Sequence, residues 1–417
     1  MSGARIQAPR GTFDVLPEDA GPRQGVEREA RRILEGAGYG RIETPAFEAT
    51  ELFARGVGEA TDIVQKEMYS FDDGGGRSLT LRPEGTAPVC RAYVEHGMHK
   101  LPQPVRLWYL SSFYRHERAQ AGRYRQFWQV GAEAIGSDDP AVDAELILLL
   151  AELLEALNVR SPRLRLASLG SPEARAAYRE ELQAYLRQHA DRLSEDVRRR
   201  IELNPLRAFD ADDPGTREVM AGAPVLLDRL VGADLEHFEA VRALLDGAGL
   251  IYEVDTALVR GLDYYTRTVF EFESEALGAQ RGVGGGGRYD GLVEELGGPP
   301  APGCGWAAGV ERILLAAGAS PAAPAPVDLY VAYVGEDHRP QAFALTTAAR
   351  RAGLNAQLEL AGRSLKGQLK QADRVGARFA AILGDDGAEL RDMESGEQRP
   401  VDADALVREV LRGRADG

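Results

Sequence analysis

The chain has 417 residues, of which 44% are hydrophobic and 28% charged, and its formal net charge is −15 at pH 7. This length predicts two or three domains rather than one. The acidic balance argues against general coating of nucleic acid, because non-specific affinity comes from neutralised phosphates. Its two cysteines lie far apart in sequence, so the chain supports neither a disulfide framework nor a thiolate zinc site.

The chain carries no signal for a membrane. Residues 1–7 lack an apolar signal core, and no run approaches the roughly 18 apolar residues of a membrane span. We therefore expect a cytoplasmic protein. His96 and His99 form a close pair without a neighbouring carboxylate or cysteine set, so the spacing predicts no protein-held metal.

The N-terminal part alternates between helix and strand patterns. Residues 18–38 have a helical apolar pattern, and residues 41–47, with Pro45, are typical of an edge or interface strand. Residues 79–86 predict a strand that ends in a turn, and 87–95 continue as a helix. Antiparallel strands with intervening helices indicate an α+β body.

An arginine-rich loop, residues 115–127, lies between two predicted strands, 105–113 and 127–135, which indicates an antiparallel hairpin. On the second strand, alternation places Phe127, Gln129 and Glu133 on the face opposite the core. Arginine is a planar, permanently charged donor suited to phosphates. A solvated basic loop is the alternative that this segment alone leaves open.

The remaining segments define the predicted domains. After a strand at 164–168, residues 172 to about 250 are helical in pattern, strands return at 251–273, and the glycines of 282–291 predict a turn closing on Arg288, Tyr289 and Asp290. A Pro- and Ala-rich stretch predicts a linker. The predicted organisation is a catalytic core at 1–171 and 251–317, a helical insertion at 172–250, a linker at 318–326 and a last domain at 327–417.

The last domain has the spacing of βαβ units, with strands at 328–333, 355–360 and 379–384. One helix carries a basic face formed by Arg363, Lys366, Lys370 and Arg374. A solvated face and a nucleic-acid contact both remain open for this helix.

Four segments together resemble histidyl-tRNA synthetase: the arginine loop, Leu-Arg-Pro-Glu-Gly-Thr at 81–86, Leu-Val-Arg-Gly-Leu-Asp-Tyr-Tyr-Thr-Arg at 258–267, and Gly-Cys-Gly-Trp-Ala-Ala-Gly-Val-Glu-Arg at 303–312. The resemblance covers nearly the whole chain. It implies a class II antiparallel core with a helical insertion, a C-terminal anticodon-binding domain, and a homodimer through the motif that contains Pro45. It also implies that ATP with Mg²⁺, L-histidine and histidine tRNA are the substrates.

The resemblance also implies roles for individual residues. Arg115 and Arg260 would grip the α-phosphate, with Arg260 the main catalytic residue. The ATP-binding residues would be Arg115, Arg123, Phe127 and Arg312. The histidine-binding residues would be Glu84, Thr86, Arg115, Gln129, Glu133, Arg260, Tyr264, Tyr265 and Tyr289. The tRNA acceptor arm would meet Arg118, Gln120 and the insertion, unless the insertion serves packing alone.

Two other protein classes compete with this interpretation. One is a catalytically inactive paralogue that senses histidine, the regulatory subunit of ATP phosphoribosyltransferase. Such paralogues typically lack the C-terminal domain and depart from the arginine and Arg-Gly-Leu-Asp-Tyr-Tyr blocks, both of which are present here. The other, a generic nucleotide-binding protein, leaves Glu84, Glu133 and Tyr265 unexplained. We therefore expect a histidine–tRNA ligase.

Overall fold

The computed structural model describes residues 5–59, 61–118, 120–258, 262–278, 280–319 and 326–415. The chain divides into two units, 1–322 and 323–417. The predicted linker at 318–326 spans this division, and its residues 320–325 lie outside the described residues. In the described part of the chain, no helix is both long enough and apolar enough to cross a membrane.

The described residues of the first unit form a large, mainly antiparallel sheet and a small one. The strands are β1 (Gly40–Arg41), β2 (Phe47–Ala49), β3 (Tyr69–Asp72), β4 (Ser78–Leu81), β5 (Val105–Tyr114), β6 (Gln126–Ile135), β7 (Arg163–Ser168), β8 (Tyr252–Val254), β9 (Thr266–Glu273), β10 (Gly282–Arg288) and β11 (Gly303–Gly309). The large sheet has the order β1-β5-β6-β11-β10-β9-β7-β8, and the small one β2-β4-β3. In the large sheet, all the neighbouring pairs along the order β5-β6-β11-β10-β9-β7 are antiparallel, which confirms the predicted α+β class.

The predicted arginine hairpin is present. β5 and β6 pair in register from Val105 opposite Ile135 to Tyr114 opposite Gln126. Alternation along β6 sends Val130, with Ala132 and Ala134, into the hydrophobic core. Phe127, Gln129 and Glu133 therefore lie on the opposite face of this strand, as the pattern predicted.

The predicted glycine turn at 282–291 was wrong, because 282–288 form β10, a strand inside the sheet. A Cβ on Gly286 would lie 1.9 Å from the carbonyl oxygen of Gly305, and one on Gly287 would lie 2.4 Å from that of Thr268. Both neighbours are backbone atoms that cannot move aside. Glycine is therefore required by the close approach of β9 and β11, and its low strand propensity concealed the strand.

Helices cover the sheet and form the insertion. The helices of the first unit are α1 (Pro17–Gly36), α2 (Thr50–Val57), α3 (Thr86–Glu95), α4 (Pro140–Ala156), α5 (Pro172–Gln188), α6 (Glu195–Arg200), α7 (Pro214–Met220), α8 (Ala233–Gly247), α9 (Leu292–Glu295) and α10 (Val310–Ala317). α8 falls within the predicted insertion, 172–250. Its residues Phe238, Val241 and Leu245 nevertheless pack into the hydrophobic cluster of the large sheet.

A strand, a turn and a helix carry the Leu-Arg-Pro-Glu-Gly-Thr segment at 81–86, as predicted. β4 ends at Leu81, and α3 begins at Thr86. Between them, the buried Arg82 donates to the carbonyl oxygens of Ser112 at 2.8 Å and Thr44 at 2.6 Å. These bonds fix the turn that precedes Glu84.

The second unit is a small α/β domain with the predicted βαβ order. Its elements are β12 (Val327–Tyr333), α11 (Arg339–Arg351), β13 (Ala356–Leu358), α12 (Leu365–Arg374), β14 (Ala377–Gly384), β15 (Gly387–Asp392), β16 (Gln398–Pro400) and α13 (Ala403–Ala415). β12 pairs in parallel with β13 and β14. Two separate apolar clusters cover the two faces of this sheet, one with α11 and α13 and the other with α12.

Candidate active site

A cavity of about 700 Å³ lies beside the connection between β5 and β6. That volume is in the range of small-molecule and cofactor sites. Phe127 lines it, together with carboxylates and five arginines: Arg115, Arg123, Arg165, Arg281 and Arg312. The concentration of guanidinium groups in a concave site is suited to a ligand with several phosphates.

Arg312, at the start of α10, lies at one side of this cavity. Its guanidinium donates to the carbonyl oxygens of Gly282 and, at 2.5 Å, of Gln280. Burial lowers the pKa of Arg312, and the positive charge of Arg123 lowers it further. Glu117 lies 3.0 Å from Arg123. Because two cations approach each other here, an anion between them would be stabilised.

Arg115 connects the arginine cavity to the turn before α3. Its Nε donates to the carbonyl oxygen of Pro83 at 2.8 Å. Its guanidinium also lies over the ring of Phe127, 5.4 Å from the ring centroid. Two fixed neighbours therefore hold this side chain in one orientation at the edge of the cavity.

A buried carboxylate, Glu133 on β6, is surrounded by hydroxyl groups. Thr86 Oγ1 donates to its Oε1 at 2.8 Å and Tyr289 to its Oε2 at 2.6 Å, while the Tyr109 hydroxyl lies 3.5 Å away. Burial raises the pKa of Glu133 to about 8. Burial and the Glu133 carboxyl also raise the pKa of Tyr289 well above its ordinary value, so its hydroxyl remains a donor.

Glu84, a second buried carboxylate, lies at the N-terminus of α3. It accepts hydrogen bonds from the backbone N–H of Thr86 at 2.7 Å and of Ala87 at 3.0 Å, and from the Tyr264 hydroxyl at 3.3 Å. Burial raises the pKa of Glu84, and the two backbone donors oppose that rise. Thr86 connects the two carboxyls in one buried cluster, because its backbone N–H donates to Glu84 and its hydroxyl donates to Glu133.

Several of the predicted histidine-site residues contact one another directly. Thr86 points its hydroxyl at Glu133, and Tyr264 donates to Glu84. Tyr264 packs against the rings of Tyr265 and Tyr289, with centroids 4.8 and 5.9 Å away. The structure thus brings all of these residues into one buried cluster.

Gln129 lies on the same face of β6 and has a buried oxygen available to a ligand. Among the described residues, no donor reaches its Oε1. A buried acceptor without a partner is costly, so such an atom is a good candidate to bind a substrate N–H.

Sequence reasoning did not identify Tyr109 on β5, which contacts Glu133. Its ring fills the space in front of two glycines: a Cβ on Gly85 would lie 2.5 Å from Tyr109 Cζ, and one on Gly131 only 2.3 Å. The glycines at 85 and 131 are the signal in the sequence, but only the fold shows that they face the same ring.

A second unpredicted group lies behind Phe127 and Arg312. Glu311 accepts from the backbone N–H of Trp128 at 3.1 Å and pairs with Arg23 at 2.7 Å. Trp128 follows Phe127 and Glu311 precedes Arg312. These contacts of Glu311 therefore join α1, β6 and α10 next to Phe127 and Arg312.

Other predicted residues lie outside this cluster or outside the described residues. Arg260, the predicted main catalytic residue, lies outside the described residues. Arg118 and Gln120 are exposed, and Gln120 pairs with Arg123 across the tight turn of the hairpin. In the second unit, Lys366, Lys370 and Arg374 are exposed. Arg363, by contrast, pairs with the buried Glu359 at 3.1 Å.

Comparison with known proteins agrees with this geometry. A family model described as histidyl-tRNA synthetase matches residues 11–313, and one described as anticodon binding domain matches residues 328–412. The histidine–tRNA ligase of Halorhodospira halophila is 50% identical and covers 99% of this chain and 99% of its own length. That of Desulforamulus reducens is 48% identical, over 96% of this chain and 97% of its own.

Solved structures match as well. The apo crystal structure of S. aureus histidyl-tRNA synthetase aligns with a TM-score of 0.81 at 35% identity, over 97% of this chain and 100% of that one. A Bacillus halodurans protein titled ATP phosphoribosyltransferase regulatory subunit/histidyl-tRNA synthetase has a TM-score of 0.65 at 22% identity, which shows the fold alone.

The antiparallel sheet, the arginine hairpin and the separate C-terminal domain are those of a class II aminoacyl-tRNA synthetase. The chain belongs to the histidyl-tRNA synthetase family. Identity near one half over almost the full length of the ligases, including the C-terminal domain, favours the enzyme over the regulatory paralogue.

Proposed function

We propose that this protein activates L-histidine with ATP to form histidyl-adenylate and pyrophosphate, then transfers the histidyl group to the 3′ end of histidine tRNA. The observation that carries the proposal is the direct junction of two sites. Arg115 lines an arginine-rich cavity of about 700 Å³ and donates to the carbonyl oxygen of Pro83, the residue before the buried Glu84. One site is suited to a polyphosphate and the other to a small molecule that carries N–H donors.

The chemistry requires positioning and charge stabilisation rather than a protein nucleophile. The histidine carboxylate oxygen attacks the α-phosphorus, and the bond from that phosphorus to the bridging oxygen breaks as pyrophosphate leaves. Preorganised arginines stabilise the charge that develops on the phosphoryl oxygens. Arg115 would bind the α-phosphate and Arg123 with Arg312 the outer ones, with Phe127 against adenine. By resemblance to the family, Arg260 would bind the α-phosphate together with Arg115.

The acidic pocket would recognise histidine through its nitrogen atoms. Glu133 would accept a hydrogen bond from an imidazole N–H, which would favour the ionised form of its carboxyl. Glu84 and Gln129 would accept from the α-amino group, with Tyr264, Tyr265 and Tyr289 around the ring. A pocket built on buried hydrogen bonds rejects analogues without the partner group by roughly 10⁴ to 10⁵.

Mg²⁺ would enter the site on the phosphates of ATP. It commonly binds one or two carboxylates together with substrate phosphates. Glu271 and Glu273 line the same cavity as Arg312, and their carboxylate oxygens are hard ligands of the right type. Among the described residues, no group of three or more His, Cys, Asp or Glu side chains could hold a metal ion. The bound ion would offset phosphate charge.

The tRNA would contact three separate parts of the chain. Arg118 and Gln120 on the exposed hairpin turn would meet the acceptor end, where bacterial members of the family read the extra 5′ guanosine. The insertion would clamp the acceptor arm. The anticodon would meet the basic face of α12, where Lys366, Lys370 and Arg374 are exposed.

We further propose a cytoplasmic homodimer. Phe47 and Phe71 are half exposed on the small sheet, with ring centroids 6.2 Å apart, close to the segment that contains Pro45. Such an apolar patch is suited to a self-complementary interface. Light scattering of the purified protein should give twice the chain mass, and the mass of a single chain would contradict the dimer.

Histidine-dependent exchange of pyrophosphate into ATP tests the central proposal. We expect exchange that requires histidine, followed by charging of histidine tRNA transcripts that depends on the extra 5′ guanosine. Exchange should be lost in Glu133→Gln while ATP binding persists. Histidine binding without any exchange would instead identify a sensor and overturn the assignment.

A further inference from the structure

The helical insertion joins the catalytic sheet at a compact polar junction. The backbone N–H of Ser171, the residue before α5, donates to Asp234 Oδ2 at 2.9 Å. Asp234 lies at the start of α8, where the chain returns from the insertion. The start of the insertion and the start of its last helix, α8, are therefore tied directly to each other.

The same junction holds the chain just after the active-site tyrosines. Asp234 Oδ1 accepts from Arg267 Nε at 3.1 Å. Arg267 has a φ of 45°, which is uncommon for a residue other than glycine. Its N–H donates to the carbonyl oxygen of Gly170 at 2.8 Å, and its own carbonyl accepts from Leu169 at 2.7 Å. These contacts stabilise the unusual conformation two residues after Tyr265.

Arg175, on the first helix of the insertion, contacts that segment directly. Its Nη1 donates to the carbonyl oxygen of Tyr265 at 2.7 Å. Burial lowers the pKa of Arg175, while Asp263 and Glu295 favour its charged form. The preceding residue, Tyr264, donates to Glu84. One hydrogen bond therefore separates the insertion from the backbone that presents both tyrosines.

A second connection runs from α8 to the third tyrosine. His237, one turn after Asp234, lies with Nε2 2.8 Å from Asp143 Oδ2. The fully buried Arg288 bonds both oxygens of Asp143, and it immediately precedes Tyr289, whose hydroxyl donates to Glu133. The base of the insertion thus supports both tyrosine segments.

We propose that this insertion base, formed by Ser171, Arg175, Asp234 and His237, couples the insertion to the histidine pocket, and that Arg175 is a positioning residue for histidine. The inference rests on the histidine activation proposed above. Engagement of tRNA by the insertion then changes the affinity for histidine. By linkage, histidine changes the affinity for tRNA by the same factor.

The test compares Arg175→Met, Arg175→Lys and Arg179→Met in pyrophosphate exchange. Arg179 is a matched control one turn along α5, and it donates to the carbonyl oxygens of Glu202 and Leu203 within the insertion. We expect Arg175→Met to raise the KM for histidine about tenfold, the effect of one lost charged hydrogen bond, with the KM for ATP unchanged. Arg175→Lys should recover part of the loss, and Arg179→Met should match the wild type.

Adding histidine tRNA with an oxidised 3′ end supplies the coupling readout. It should change the histidine KM of the wild type and leave that of Arg175→Met unchanged. Two results would overturn the proposal. One is an equal rise of the KM for histidine and the KM for ATP in Arg175→Met, and the other is the same rise of the histidine KM in Arg179→Met. If Arg175→Met does not fold, an unchanged histidine KM in Arg175→Lys would overturn it. Absence of pyrophosphate exchange in the wild type would refute the proposed function. Normal exchange in the wild type, with an unchanged histidine KM in both Arg175 variants, would refute this inference alone.

Discussion

At the scale of single residues, the site places two carboxyls where water cannot reach them. Glu84 and Glu133 are both buried and are held by backbone and hydroxyl donors. An acidic pocket of this kind is costly without a ligand, because burial disfavours the charged form. A hydrogen bond from a substrate N–H would offset the free-energy cost of burying these two carboxyls.

Replacing Glu133 by Gln should flatten the dependence of stability on pH. The pKa is raised to about 8 in the folded protein, from an ordinary value of 4.5. Between these values the unfolded carboxyl has lost its proton while the folded one retains it, so the free energy of unfolding falls as the pH rises. One pKa unit corresponds to about 1.4 kcal/mol.

Urea unfolding at about pH 5.5 and about pH 8 measures this effect. The decline in the wild type should exceed that in Glu133→Gln by at least about 1 kcal/mol. Equal declines in the two proteins would show that Glu133 keeps an ordinary pKa.

Gln120 should affect tRNA alone. It is exposed on the hairpin turn, and its backbone rather than its side chain pairs with Arg123. In Gln120→Ala, the rate of charging should fall several-fold while pyrophosphate exchange is unchanged. A parallel loss of both would assign Gln120 to the ATP site.

At the scale of elements, β10 is a strand made almost entirely of backbone. It lies between β9 and β11, and backbone atoms of these two strands lie where side chains on β10 would otherwise project. This strand ends at Arg288 and thereby places Tyr289 on Glu133.

Gly286→Ala should strongly destabilise the protein. The new methyl group would lie 1.9 Å from the carbonyl oxygen of Gly305. Overpacking a rigid site commonly costs about 1–3 kcal/mol or more, so the thermal midpoint should fall by roughly 2–5 °C or more. Gly291→Ala is the matched control, because no heavy atom lies within 4 Å of its added Cβ. Equal midpoints for the two variants would contradict the packing argument.

The insertion is best tested by a point substitution rather than by deletion, since deletion would also remove Arg175. Arg198 is exposed at the end of α6. If the insertion binds the acceptor arm at this face, charging by Arg198→Glu should fall about tenfold while exchange persists, because the new carboxylate would repel the tRNA phosphates. Arg198→Lys keeps the charge and should behave as the wild type. An equal loss of exchange would argue against a role in tRNA binding.

The sequence predicted most elements because their signals are local. The period of two along Phe127–Ile135 and the strand-turn-helix at 79–95 depend only on neighbouring residues. β10 was missed because its reason is tertiary. Tyr109 was missed for the same cause, since its contact with Glu133 joins two strands. The pairing of Arg363 with the buried Glu359 likewise required the fold, and Arg363 itself stays exposed.

At the scale of the whole molecule, the two units have separate hydrophobic cores. A chain that ends at Ala319 should keep histidine-dependent exchange and lose most charging, because the residues that line the proposed adenylate site all belong to the first unit. Residues 326–417 expressed alone should unfold cooperatively in urea, since two apolar clusters cover their sheet. Loss of exchange in the shortened chain would show that activation needs the second unit.

The glycine strand also constrains how the gene can vary. Every missense change at Gly284, Gly286 or Gly287 adds at least one carbon atom where backbone atoms of a neighbouring strand already lie. A saturation library scored by growth should therefore recover only synonymous codons at these three positions. The third nucleotide of each of these glycine codons should vary freely. The first two nucleotides should be kept by purifying selection, because any other amino acid adds a side chain for which there is no room.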